Sequence, residues 1–232
     1  MADMRPKLTC SAQAHQKEKS RLRWVMGVFF IALITAGWFV PWFGYFVPVC
    51  MLGGLLPAFF YGRKWCDWWC ARGSFLESAV GVLSGGRPVP KLLRGTPFRV
   101  AIMGVLFAGF GFHIVKFWGE WVALGGFFVT FLTATTIVAT VLGLIYSPRG
   151  WCAFCPIGTI SHWAGANRKP LRITSDCTAC GLCAKVCPMG IVPHEYREQG
   201  VVTDSDCLKC GLCIAQCPRD ALTFDTDRQE AA

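Results

Sequence analysis

A chain of 232 residues with a formal net charge of +9, 53% hydrophobic residues and only 16% charged ones is too apolar for an ordinary soluble globule. Its basic residues flank apolar stretches and form no separate patch, so nucleic acid is not an expected partner. Fourteen cysteines in a chain of this length make their spacing a principal clue to its chemistry.

Residues 1–23 are polar and basic, with Arg5, Lys7, Lys17, Lys19, Arg21 and Arg23. No short apolar core followed by a small-residue cleavage site is present, so the segment reads as a cytoplasmic tail before an uncleaved helix. Cys10 has no neighbouring cysteine and reads as a free, exposed thiol. Four stretches long and apolar enough to span a bilayer follow, at 24–40, 42–61, 98–118 and 121–146. Pro41 ends the first. Pro48, Gly53, Gly54 and Pro57 predict a kinked or interrupted second span, compensated by neighbouring protein, and Cys50 within it reads as a small buried apolar residue. Gly104, Gly109, Thr133, Thr136 and Thr140 predict close packing of the last two spans. His113, Lys116 and Glu120 lie near the outer end of the third. A histidine in a span is a candidate quinone donor, proton relay or haem ligand. No second span offers a partner histidine and no C-x-x-C-H occurs, so an interfacial or packing role is the better reading.

The flanks set the orientation. Arg63, Lys64, Arg72, Arg87, Lys91, Arg94 and Arg99 lie between spans two and three, and Arg149, Arg168, Lys169 and Arg172 follow span four. The two other turns hold only Lys116 between them. The positive-inside rule then places both termini and the middle loop on the cytoplasmic side. Just beyond spans two and four stand two cysteine pairs, Cys66-Asp-Trp-Trp-Cys70 and Cys152-Ala-Phe-Cys155-Pro. A helix would put Cys66 and Cys70 on one face, while Cys152 and Cys155 have a gap suited to chelation, with Pro156 opening a following helix. Four thiolates at one depth suit a metal or a third cluster, a redox-active dithiol, or buried thiols with no chemistry. Arg63, Lys64 and Arg72 could orient a quinone headgroup, but positive-inside anchoring accounts for them. Trp65, Trp68, Trp69, Trp151 and Trp163 fit an interfacial aromatic belt. His162 is a weak site candidate near Cys155.

The C-terminal third carries C-x2-C-x2-C-x3-C-P twice, the second copy starting 30 residues after the first. This is the ligand run of bacterial [4Fe–4S] ferredoxins, in which the fourth cysteine serves the neighbouring cluster. Cys177, Cys180, Cys183 and Cys217 are thus expected around one cluster, and Cys207, Cys210, Cys213 and Cys187 around the other. Gly181 and Gly211 let the backbone approach sulfide closely, and Pro188 and Pro218 end the segments. Zinc knuckles are a poorer fit to eight cysteines at this spacing. Flanking strand pieces are expected at 172–174 and 222–224, with a solvated tail at 226–232.

The fold class expected is an α-helical membrane protein of four transmembrane helices with a C-terminal α+β, bacterial-type 2[4Fe–4S] ferredoxin domain. The domains run 1–23 (tail), 24–170 (membrane), 171–225 (ferredoxin) and 226–232 (tail). From 24 to 225 this arrangement resembles the membrane-bound polyferredoxins of the NapH type, related to the membrane part of NosR-like proteins. That family usually shows Cys-x3-Cys-Pro twice; here Ala71 follows Cys70, and the second pair has only two intervening residues. The resemblance implies electron exchange between the quinone/quinol pool and a partner redox protein, with the paired cysteines near the quinol site. The setting it implies is the cytoplasmic membrane of a prokaryote. Cofactors expected are two [4Fe–4S] clusters, with a third cluster or metal at Cys66, Cys70, Cys152 and Cys155. Two rival readings are a copper-reducing assembly factor for a respiratory oxidase and a structural docking subunit of a larger redox complex. No hydrolytic triad, P-loop or Rossmann fingerprint is present, so any catalytic centre would lie in the partner.

Overall fold

The computed structural model describes residues 10–81, 83–85, 87, 89–165 and 169–224. The tail readings at 1–9 and 226–232, and the exposure of the Cys10 side chain, lie outside the described residues. Helix α1 (Cys10–Phe39) begins well before the predicted span: Gln, Lys, Glu and Arg are good helix formers, so the basic tail continues the helix. Only its Ser20–Phe39 portion has membrane-span hydropathy. Arg23, expected in a cytoplasmic tail, is buried.

Pro41 fixes φ at the start of a 3-10 turn, Pro41–Tyr45, that leads directly into α2 (Phe46–Tyr61). The predicted interruption of this span is displaced to that turn, because α2 runs unbroken through Pro57. It stops at Gly62, whose φ of 61° suits glycine. Short helices α3 (Lys64–Trp68) and α4 (Ala71–Phe75) follow, then a π-turn at Leu76–Val80. Next come α5 (Lys91–Arg94), α6 (Thr96–Lys116) and α7 (Trp121–Ile145). Four helices among the described residues are thus long and apolar enough to cross a membrane. Many of their large apolar side chains face outward, Phe39, Phe60, Val105 and Phe112 among them.

Close helix packing is found at Gly37, Gly44 and Gly125, not at the expected glycines. Gly44 and Gly125 bring the 3-10 turn and α7 into backbone contact, whereas nothing lies within 4 Å of a Cβ built at Gly104 or Gly109. The hydroxyls of Thr133, Thr136 and Thr140 donate to carbonyls four residues back, at 2.7–2.9 Å, which satisfies them within their own helix. His113 is held likewise, its Nδ1 2.9 Å from Gly109 O and its ring stacked on Phe127 at 4.2 Å.

After α7, a 3-10 turn (Gly150–Ala153) and α8 (Pro156–Ala164) lead to the C-terminal module. That module holds β1 (Leu171–Ile173), α9 (Leu182–Lys185), a 3-10 turn (Pro193–Tyr196), β2 (Val201–Val202), α10 (Leu212–Ala215) and β3 (Leu222–Phe224). The strands form an antiparallel sheet in the order β2-β1-β3, with Leu171 opposite Val202 and Phe224. One apolar core runs from this sheet (Leu171, Ile173, Leu222) to Trp151, Phe154 and Leu76 beside the spans. The seam is polar at its centre. Asp206 Oδ1 accepts from Arg63 Nη1 at 2.7 Å, and Oδ2 accepts from Arg99 Nη2 at 2.5 Å, while His162 Nδ1 stands 3.1 Å from Oδ1. Arg94 donates to the carbonyl of Met189 across the same seam.

Candidate metal-cluster sites

Two cavities in the C-terminal module are lined by crossed sets of cysteines. Cys177, Cys180, Cys183 and Cys217 border one, and Cys187, Cys207, Cys210 and Cys213 the other. The loop backbones explain how. Ala179 and Lys209, each just before the second cysteine of its run, have φ of 55° and 54°, and Gly181 and Gly211 have 75° and 79°. Left-handed residues at alternate positions curl a loop around a centre. In Ala and Lys that conformation costs energy which the surrounding structure must offset. The thiols are sheltered: burial pushes Cys207 up to about 11 and raises Cys183, Cys187 and Cys213. Ile191 N–H donates to Cys187 Sγ at 3.3 Å, a bond that would tune a bound group.

The other four cysteines also meet. Cys66, Cys70, Cys152 and Cys155 line a single cavity of about 180 Å³ at the end of the bundle, which continues between apolar walls formed by Phe30, Phe46, Leu106 and Phe131. The i, i+4 expectation for Cys66 and Cys70 is corrected. Helix α3 ends at Trp68, and Cys70 is extended (φ −73°, ψ 102°), capping α4 as Gly73 N–H donates to its sulfur at 3.4 Å. Cys155 takes the N-cap position of α8 without a side-chain capping bond, with Pro156 in the first turn. Both second cysteines therefore stand immediately before a helix. Arg72 reaches the cavity wall: its Nη1 donates to Thr135 Oγ1 at 3.2 Å, its Nη2 to Cys155 Sγ at 3.5 Å, and its guanidinium lies 5.1 Å over Trp151. Trp151 Nε1 is buried with no partner among the described residues.

Among the described residues, no three His, Cys, Asp or Glu side chains converge as a single metal ion would need. Each cysteine set instead surrounds a cavity, the arrangement that four thiolates on the corners of a cubane require. Burial pushes the Cys66 thiol up to about 12 and raises that of Cys152. Cys50 lines the cavity wall within α2, where a buried apolar role was expected, and is exposed.

The arginines were misread from sequence. Arg63 is 2% exposed and Arg149 1%, so neither is a surface anchor. Arg63 Nη2 donates to Cys152 O at 2.5 Å, and Arg149 Nη1 donates to Cys66 O at 2.7 Å. Arg149 is balanced by Glu77 at 2.5 Å, which Arg23 also pairs at 2.8 Å, with Asp67 alongside. Arg63 is balanced by Asp206, one residue before Cys207. Burial alone would raise the Asp206 carboxyl, but the His162 hydrogen bond and the Arg63 and Arg99 guanidiniums hold it well below the usual carboxylate range. His162 thus serves the seam and not Cys155. Trp65, Trp69 and Trp151 line the cavity, Trp69 with an exposed outer side, while Trp163 is exposed as an aromatic belt would be. The signal for the arginines was present in the chain: Arg63-Lys-Trp-Cys66 and Arg149-Gly-Trp-Cys152 are the same R-x-W-C motif.

Comparison with known proteins agrees with this partition. Residues 169–218 match the family model of a 4Fe-4S dicluster domain, and residues 43–90 and 121–173 each match that of a 4Fe-4S binding domain. No curated protein and no solved structure matches the chain. The matches support an iron–sulfur protein with [4Fe–4S] cofactors and an electron-transfer role.

Proposed function

We propose that this iron–sulfur protein is an integral membrane subunit of the NapH type that exchanges electrons between the quinone/quinol pool and a partner redox protein. Cys177, Cys180, Cys183 and Cys217 would hold one [4Fe–4S] cluster, Cys207, Cys210, Cys213 and Cys187 a second, and Cys66, Cys70, Cys152 and Cys155 a third. Such clusters supply one-electron transfer, which suits a two-electron quinol oxidised stepwise. The observation that carries the reading is the meeting of those last four cysteines at the end of an apolar cavity that reaches between the spans.

The chain's own residues have definable roles. Phe30, Phe46, Leu106 and Phe131 offer an apolar slot for a prenylated ring and exclude water. Arg72, lodged between Thr135 and Cys155, presents guanidinium donors to a quinone oxygen. The outward apolar side chains of the four helices support a lipid setting. The cytoplasmic placement of the ferredoxin module rests on the positive flanks; in the folded chain Arg63, Arg99 and Arg149 have entered ion pairs, while Lys64 and Arg87 remain exposed.

The test is iron and acid-labile sulfide per chain in anaerobically purified protein, with EPR during stepwise reduction by a short-chain quinol in nanodiscs. About twelve irons per chain, all reducible, are expected for three cubanes. About eight would remove the edge cluster from the proposal. Near-zero iron with bound zinc would overturn it.

A further inference from the structure

The edge site is built from two copies of one unit, and the copies hold each other. The first reads Arg63-Lys-Trp65-Cys66-x3-Cys70-x2-Gly73-Ser74 and the second Arg149-Gly-Trp151-Cys152-x2-Cys155-x2-Gly158-Thr159. Corresponding residues do corresponding things. Both tryptophans line the cavity, and both second cysteines occupy the N-cap position of the helix that follows. Ser74 N–H donates to Cys70 O and Thr159 N–H to Cys155 O, at 2.9 and 2.7 Å, and both hydroxyls are fully buried without a partner among the described residues. The arginines cross over. Arg63 of the first copy bonds the carbonyl of Cys152, and Arg149 of the second bonds the carbonyl of Cys66. The glycines make room for the crossing: a Cβ on Gly158 would lie 2.9 Å from Arg63 Nη2, and one on Gly73 would lie 2.6 Å from Arg149 Nη1.

We propose that Arg63 and Arg149 are reciprocal positioning residues, each fixing the cysteine pair of the other copy so that four thiols from two distant segments form one site. The proposal rests on the reading that these cysteines serve a common group. A planar guanidinium suits the task because it serves the foreign carbonyl and a carboxylate at once: Asp206 for Arg63, Glu77 for Arg149. The two braces differ in one respect. The counter-ion of Arg149 belongs to its own membrane module, whereas that of Arg63 comes from the ferredoxin module, so docking of that module helps to fix the Cys152–Cys155 half.

The test is mirror-image hydrogen exchange on the full-length protein in detergent. Arg63→Lys, which keeps charge but loses the two-acceptor fork, is expected to raise exchange of 150–158 about tenfold, one charge-assisted hydrogen bond's worth. Exchange of 66–73 should change less than about twofold. Arg149→Lys should do the reverse. Gly158→Ala presses on the Arg63 guanidinium at 2.9 Å and on the Cys152 carbonyl it binds at 3.0 Å, so it should reproduce Arg63→Lys and have a smaller effect in an Arg63→Met background, where only the carbonyl contact remains. Asp206 keeps Arg99 in that background, so the fold has a partner for its carboxylate. Equal loosening of both copies by each variant, or full additivity of Gly158→Ala with Arg63→Met, would overturn the proposal. Iron content and EPR on the same samples separate the two readings. Mirror-image exchange with no iron beyond the ferredoxin pair sustains the brace and removes the edge cluster. A third cluster whose EPR signal and iron survive Arg63→Lys and Arg149→Lys unchanged sustains the cluster and removes the brace.

Discussion

Asp206 is where the two modules are most exposed to a single substitution. Its carboxylate is 3% exposed and faces the buried guanidiniums of Arg63 and Arg99 and the ring of His162. Asp206→Asn keeps the shape and removes the charge, leaving two guanidiniums, 2% and 3% exposed, with no anion between them. Three charge-assisted bonds at about 1.5–3 kcal/mol each set an upper bound that is not reached, because the bonds share one acceptor group and are not additive. Removal of one member from a buried ion pair costs about 3–5 kcal/mol, and that is the expected loss here. In the opening equilibrium of the seam this is about two to three and a half orders of magnitude. Hydrogen–deuterium exchange of peptides covering 61–66 and 204–209 reads it directly, with 121–145 inside the bundle as internal control. Adding Arg99→Gln should recover part of the loss by removing one stranded charge. A change of less than tenfold would mean that water screens the seam as at a surface ion pair, worth at most about 1 kcal/mol, and the docking argument would fail.

Arg72→Met removes a donor to Cys155 Sγ at 3.5 Å. If a cluster is bound there, its potential should fall by about 40–60 mV in an EPR redox titration, the equivalent of about 1 kcal/mol for one electron, while the ferredoxin pair stays put. Gly44→Ala drives a methyl group into the Gly125 backbone, which cannot yield as a side chain would. Thermal unfolding should report about 2–3 kcal/mol lost, while Gly109→Ala, with open space around it, should be neutral or gain about 0.5–1 kcal/mol. A destabilised Gly109→Ala would mean that α6 packs against something on that face. His113→Phe keeps the stack on Phe127 and loses one bond to Gly109 O. Cluster content should be unchanged and stability should drop by about 1 kcal/mol or less; lost quinol-driven cluster reduction would return His113 to the functional residues.

The legible features were those written in local spacing. Cysteines two residues apart, a proline after each fourth one and long apolar windows are each set by neighbours along the chain. The spans and the two cysteine runs could therefore be located without coordinates. Helix starts were less legible: α1 begins at Cys10 because helix propensity ignores the boundary between a basic tail and an apolar span. Least legible were the charges. Arg63, Arg99 and Arg149 sit in flanks where solvated cations are the rule, yet their partners Asp206 and Glu77 lie 143, 107 and 72 residues away in the chain. No window of sequence contains both members of such a pair. The R-x-W-C repeat was the one local clue, and it escapes notice because the two copies differ by one residue between their cysteines.

The 143 residues between Arg63 and Asp206 also impose a delay during biosynthesis. At a ribosomal rate of about 5–20 residues per second, Arg63 waits about 7 to 30 s before its carboxylate has been made. During that interval it is a bare cation at the end of a newly inserted helix, able to hold that end on the cytoplasmic side in the topology proposed above. Only when the last third of the chain folds does the same side chain leave water for the seam. In that topology one arginine would have two occupations in succession, topological while the polypeptide is growing and architectural once it is complete.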